Sequence, residues 1–201
     1  PNNTLASHIL GGTDIDGRGI AGIEKKFNAQ LQNGKSINLS IHSGIQHITK
    51  KLLFNQINKF EAEGGAGIVM NAKNGEVYSI VSLPDYNANN YNSISNKSLF
   101  NKATKGIYEL GSTLKLFTAA IAFESNLIKE NEVFDVSKPL RVSSRVITDF
   151  HPLSYSINIP EVIVHSSNIG SAKIAEKFGP SIQLKYLRLL GLMNKLKLEV
   201  P

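Results

Sequence analysis

The sequence predicts an α+β fold with helices packed on an antiparallel sheet, and three observations carry that expectation. Two apolar runs, Ala66–Asn71 and Val77–Leu83, flank the turn-forming Lys73-Asn74-Gly75, which is how a tight hairpin reads. Before them, Ile45, Ile48, Leu52, Leu53, Ile57 and Phe60 recur at helical spacing, as in an amphipathic helix laid on a sheet. After them come the helix-like segments Ser112–Glu124, Ile159–His165, Ile169–Phe178 and Ile182–Leu190.

The elements follow the punctuation. Residues 1–40 are Gly-rich with short apolar runs, and Ile37-Asn38-Leu39-Ser40-Ile41 alternates like a half-buried strand. The helix beginning at Ile45 ends before Gly64-Gly65. Lys73-Asn74-Gly75 is expected to supply the left-handed residues of the hairpin. Residues 84–107 are polar, with six Asn between Asn87 and Asn101, and read as a surface loop. From Leu116 to Phe123 nearly every residue is apolar, so the helix there is expected to be buried on all sides. No internal repeat is visible.

Composition sets bounds. The chain has 201 residues, 41% of them hydrophobic, enough for one domain or two small ones. Absence of Cys excludes a disulfide framework and a Cys-ligated metal. The net charge of +6 comes from scattered basic residues such as Lys25-Lys26 and Lys50-Lys51. With no aromatic interleaving and no helix-turn-helix pattern, nucleic acid is not the expected partner; a solvated basic surface is the plainer reading. Of the five His, only His42 and His47 approach a ligand spacing, and that loosely, so no metal is expected. No run reaches about 18 consecutive apolar residues, and no signal sequence is visible.

Chemistry enters at Tyr108-Glu109-Leu110-Gly111-Ser112-Thr113-Leu114-Lys115. Residues three apart share a helix face, so the Lys115 amine can reach the Ser112 hydroxyl. Serine needs a neighbouring base to become a nucleophile, and lysine serves only if burial and positive surroundings lower its pKa. A helix N-terminus supplies that potential and also favours a developing oxyanion. Roughly one Ser-x-x-Lys is expected by chance in such a chain, and an N-cap Ser before a solvated Lys is the plain alternative. The apolar helix that follows favours the chemical reading, because a lysine in a buried first turn needs a partner or a task. Downstream, Ser166 and Asn168 form a Ser-x-Asn triplet before another small-residue helix; they offer a hydroxyl and an amide for proton relay and amide binding. An N-cap cluster is the alternative there. A Ser-His-Asp triad built on Asp149 and His151 lacks a Gly-x-Ser-x-Gly elbow and is set aside.

These residues resemble a class B penicillin-binding protein, and the resemblance runs almost end to end. Gly17-Arg18-Gly19-Ile20-Ala21-Gly22-Ile23-Glu24-Lys25 is similar to a segment of the family's non-catalytic pedestal domain. Gly65–Val77 is similar to the first hairpin of its transpeptidase domain, and Ser82-Leu83-Pro84-Asp85-Tyr86-Asn87-Ala88-Asn89 to the exit from it. Asp149-Phe150-His151-Pro152 and Ile159-Pro160-Glu161-Val162, ahead of Ser166-Ser167-Asn168, resemble the cell-division members. Leu110 stands where the family has Pro.

The resemblance implies a domain division, with residues 1–40 as the end of a pedestal (dimerisation) domain and 41–201 as the first part of a transpeptidase domain. It implies a D,D-transpeptidase that cross-links peptidoglycan through a serine ester. The catalytic set would be Ser112, Lys115, Ser166 and Asn168, with Ser112, Ser166 and Asn168 also binding substrate and no metal or organic cofactor. Expected partners are peptidoglycan stem peptides, β-lactam antibiotics, cell-division proteins and a second copy of the chain, at the periplasmic side of a bacterial inner membrane. The family's Lys-[Thr/Ser]-Gly strand has no counterpart here, so an internal, catalytically incomplete fragment with an open strand edge at residues 66–71 is expected. Two other readings share part of this pattern: a serine β-lactamase or β-lactam-sensing domain, against which the Gly17–Lys25 segment speaks, and a purely structural module.

Overall fold

In the computed structural model, residues 3–93, 95–129 and 131–200 are described. The chain divides into two units, Pro1–Ile107 with Lys197–Pro201, and Tyr108–Leu196.

The first unit starts with α1 (Ser7–Leu10), the short pair β1 (Gly12–Thr13) and β2 (Gly19–Ala21), then α2 (Gly22–Lys26) and α3 (Asn28–Gln32). The long helix α4 (Ser43–Lys59) leads to the hairpin of β3 (Gly65–Met70) and β4 (Val77–Leu83). Both strands and the helix lie within a residue or two of their expected places. In the turn only Gly75 adopts a left-handed backbone (φ 79°). Lys73 and Asn74 do not, because Asn71 and Asn74 instead accept the N–H groups of Lys73 and Glu76 through their side chains, a longer Asx-type connection.

Two expectations change here. Residues 37–41 form no strand; Ser40 Oγ donates to Val77 O (2.7 Å) and His42 N–H to Tyr78 O (2.9 Å), touching the start of β4 without a ladder. The face α4 turns to the hairpin also differs from the expected one. Leu53 and Ile57 cover Gly65, and Thr49 covers Gly67, whereas Ile48, Leu52 and Phe60 are exposed. A single sheet layer can cover only one stripe of a helix.

The position that binds α4 to the hairpin is polar. Gln46 is 2% exposed; its Nε2 donates to Leu5 O (2.9 Å) and Ile80 O (2.8 Å), and its Oε1 accepts from Ile80 N–H (3.0 Å) and Ser79 Oγ (2.8 Å). The side-chain amide thus takes the place of a neighbouring strand at the outer edge of β4. Gln46→Leu leaves four polar groups without partners, so a loss of about 3 kcal/mol is expected in denaturant unfolding of this unit. A change below about 1 kcal/mol would show the clasp to be unimportant. Beyond β4 come a 3-10 segment (Ala88–Ser93), α5 (Asn96–Leu99) and α6 (Lys102–Lys105).

The second unit opens with a 3-10 turn (Gly111–Thr113) running into α7 (Leu114–Glu124). Four short strands follow where no element was expected: β5 (Val133–Asp135) pairs antiparallel with β8 (Ser156–Asn158), and β6 (Leu140–Val142) with β7 (Arg145–Ile147). Strands of three residues leave too little alternation to read. Helix α8 (Ile159–Val164) is set by a capping box, in which Asn158 Oδ1 accepts from Glu161 N–H and Glu161 Oε2 from Asn158 N–H, both 2.9 Å. Helix α9 (Asn168–Leu189) is broken at Gly179-Pro180, which accounts for the two helical segments expected there.

Ala119, Ile121 and Ala122 of α7 pack with Ile157, Val162 and Ile174 in the core of this unit. The helix is not buried on all sides, however. Leu114, Leu116 and Phe123 are exposed, since the covering elements occupy one flank of it. Among the described residues no helix is long and apolar enough to cross a membrane.

Candidate active site

The candidate residues all lie in the second unit. Ser112 sits in the 3-10 turn, reached through Gly111 with φ 54°, a conformation that costs a residue with a Cβ about 1 kcal/mol or more. This turn leaves the Ser112 hydroxyl exposed at the positive end of α7. Lys115 is half-buried one turn on.

The partner that links them comes from 54 residues downstream. Ser166 Oγ donates to Ser112 Oγ at 3.1 Å, and Lys115 Nζ donates to Ser166 Oγ at 3.0 Å and to the Ser166 carbonyl oxygen. The expected direct Lys115–Ser112 hydrogen bond is therefore replaced by a chain of three groups with Ser166 in the middle. Ser166 holds φ 51°, left-handed for a non-glycine residue, and such strain persists where the surroundings over-determine it. Burial holds the Lys115 ammonium below the ordinary lysine range, opposed by the negative charge of Asp149.

Asn168 follows in the chain, but its side chain does not join Lys115. Nδ2 donates to Thr148 O (2.8 Å), which leaves Oδ1 for other partners. The amide is exposed.

Reading along the chain missed the group that fixes this loop. Asp149 Oδ2 accepts from Ser167 Oγ (2.6 Å), and Oδ1 accepts from the N–H groups of Asn168 (2.5 Å) and Ile169 (3.0 Å). A carboxylate on the first N–H groups of α9 satisfies donors that a helix leaves open and meets its positive end. Ser167, 1% exposed, completes the cap by accepting from Gly170 N–H at 2.9 Å. A Cβ on Gly170 would lie 2.5 Å from Val162 Cγ2, so the close approach of α8 and α9 requires glycine there. Asp149 was visible in sequence only as part of Asp149-Phe150-His151-Pro152; linear spacing gives no indication of which N–H groups it reaches. His165 is the exposed C-cap of α8.

This arrangement offers an exposed hydroxyl, a lysine with lowered basicity one hydroxyl away, and a helix N-terminus at the nucleophile, the set needed for acyl transfer.

Comparison with known proteins bears on the same residues. The family described as penicillin binding protein transpeptidase domain matches residues 65–201. A Caulobacter vibrioides protein named "Probable peptidoglycan D,D-transpeptidase FtsI" is 33% identical over all of this chain and 35% of its own length. The chain thus spans about a third of the length of the curated relatives it matches. In fold, the chain is similar over its whole length to the D,D-transpeptidase domain of a peptidoglycan glycosyltransferase from Eggerthella lenta (TM-score 0.88, 23% identity, 49% of that chain). It is also similar over 95% of its length to penicillin binding protein 3 of Mycobacterium tuberculosis, known in complex with aztreonam and with ampicillin (TM-score 0.84, 23% identity, 46% and 45% of those chains).

Proposed function

The chain belongs to the penicillin binding protein transpeptidase family, and from that premise we propose that its protein is a peptidoglycan D,D-transpeptidase acting through an ester on Ser112. The observation that carries the proposal is the Lys115–Ser166–Ser112 hydrogen-bond chain. In the reactive state Lys115 is neutral. Ser112 gives its proton to Ser166 Oγ as Ser166 gives its own to Lys115 Nζ, and Ser112 Oγ attacks the carbonyl carbon of the penultimate D-Ala of a stem peptide. The oxyanion forms beside the Ser112 N–H. On collapse the C–N bond breaks, and the leaving nitrogen of the terminal D-Ala takes the proton back from Lys115 through Ser166. An amine of a second stem peptide then attacks the ester carbonyl and forms a new C–N bond, giving a proton to Lys115 through Ser166; the ester C–O bond breaks and that proton passes back to Ser112 Oγ. Asn168, through its free Oδ1 and its exposed position, binds the amide of the acyl group.

A β-lactam enters the same first step and stops at the ester. Cell-division proteins are the partners this reading assigns, and the periplasmic side of the inner membrane is the location. Residues 1–40 are the end of a pedestal domain within it and 41–201 the start of the transpeptidase domain. A second copy of the chain pairs along the open edge of β3, where Ile68 and Met70 are exposed; sedimentation at the monomer mass over the whole concentration range would rule that pairing out.

Intact mass spectrometry after incubation with ampicillin tests the function, on this chain and on a form extended to the length of its curated relatives. The expected result is one adduct, mapped to Ser112 and abolished in Ser112→Ala, in the extended form. No adduct in either form, or one on another residue, would overturn the proposal.

A further inference from the structure

The first unit contains a feature that acyl transfer does not use. A cavity of about 90 Å³ is lined by His8, Lys25, Tyr86, Leu99, Asn101 and Lys105, together with residues 20–22. That is room for about three waters or one tetrahedral oxyanion. Its chemistry is one-sided, since among the described residues no carboxylate lines it.

The amide of Asn101 is the most specific group there. The residue is 4% exposed. Its Oδ1 accepts from Ala103 N–H at 3.0 Å as the N-cap of α6, which fixes the orientation of the amide. Nδ2 is buried and has no hydrogen-bond partner among the described residues. An unmet buried donor is costly, and one that lines a cavity gains most from an acceptor inside it.

Charge points the same way. Lys25 and Lys105 reach the cavity from different elements, α2 and the end of α6, and neither belongs to an ion pair among the described residues. Asp85, near His8, is already paired with Lys50. His8 adds no charge near neutrality. Its burial is the main cause holding its pKa below the usual histidine value, with Lys105 and Lys50 adding to that, while the bond from Nε2 to Ser98 O (2.7 Å) and Asp85 oppose it. Two ammonium groups and one buried amide N–H converge on a space with room for one small anion. Charge-assisted bonds of that kind are the stronger class.

We propose that this cavity binds a single phosphate group, free or as a monoester, at a site separate from Ser112. The two lysines neutralise it and Asn101 Nδ2 donates to one oxygen. Binding there ties α2 to α6 and to the segment bearing Tyr86, so a ligand at this site stabilises the first unit by mass action.

The test is an NMR titration of the ¹⁵N-labelled chain with inorganic phosphate at constant ionic strength, with sodium chloride as the control and glycerol 3-phosphate as a second arm. Saturable shifts of the Asn101 side-chain amide are expected with phosphate and absent with chloride. Lys25→Ala/Lys105→Ala, both at exposed positions, weakens binding at least tenfold. Asn101→Asp keeps the capping oxygen but replaces the donor by a negative acceptor, and abolishes binding with the spectrum otherwise retained. Tighter binding of glycerol 3-phosphate than of phosphate assigns the site to a phosphomonoester on a lipid or polymer; the reverse order assigns it to the free ion. Shifts that do not saturate, or an isotherm unchanged in the lysine double variant, overturn the proposal.

Discussion

Replacing Lys115 by alanine slows acylation of Ser112 by a β-lactam about 10²- to 10⁴-fold, the range a positioned general base contributes. The substitution removes the amine joined to the Ser112 hydroxyl through Ser166, while Ser112 and its helix N-terminus remain. The pH profile separates loss of a base from loss of fold. Only neutral Lys115 can take a proton, so acylation by the unsubstituted protein rises with pH through the pKa of Lys115. Burial holds that pKa below the ordinary lysine value, which moves the rising limb toward neutrality. Lys115→Ala loses the limb and gives a slow, flat rate over the same range. The measurement is the second-order acylation constant from pH 6 to 10 on the extended form, and an unchanged limb in the variant would remove Lys115 from the role of base.

The second large effect falls on a residue that touches no substrate. Asp149→Ala removes three hydrogen bonds to the start of α9 at once. Bonds to a charged group contribute about 1.5–3 kcal/mol each and are not additive when they share one carboxylate, so a loss of about 3–4 kcal/mol in the second unit is expected. Ser166 stands directly before these anchored residues in a strained conformation, and with the anchor gone it relaxes away from Ser112. Acylation is expected to fall at least about tenfold. Asp149→Asn is the sharper probe, because it keeps the volume and one acceptor oxygen but removes the charge. That charge raises the pKa of Lys115, so the rising limb of the pH profile moves to lower pH in Asp149→Asn. A purely structural role would lower the rate without moving the limb.

How much of this was legible along the chain depends on distance in sequence. The hairpin of β3 and β4, α4, α7 and the two halves of α9 were read to within a few residues, because each has its own period or turn. The strands at 133–158 were not, since three-residue strands owe their existence to their partners. Residues 37–41 alternate like a strand, but the edge of β4 they approach is already taken by the Gln46 amide at Ile80, so no ladder forms there. The apolar surface of α4 was legible as a set, though the side that packs was not: tertiary contact selected Thr49, Leu53 and Ile57 over Ile48 and Leu52.

The candidate site divides along the same line. Ser112 and Lys115 are one helical turn apart, and that spacing with the apolar run after it marked them as candidates, while the family resemblance and the reaction class rested on the further motifs from Gly17 to Asn168. Local sequence could mark the pair because helix geometry converts a separation of three residues into a shared face. The arrangement that makes the pair useful was decided only in three dimensions. Ser166 enters between them from 54 residues away, and Asp149 holds the loop from 18 to 20 residues upstream. Asn168, adjacent in sequence to that loop, is turned to Thr148 instead of to Lys115. Contacts of this kind have no period. They are selected by which buried donors and acceptors the packed core leaves facing one another, and that is settled only when the chain has folded.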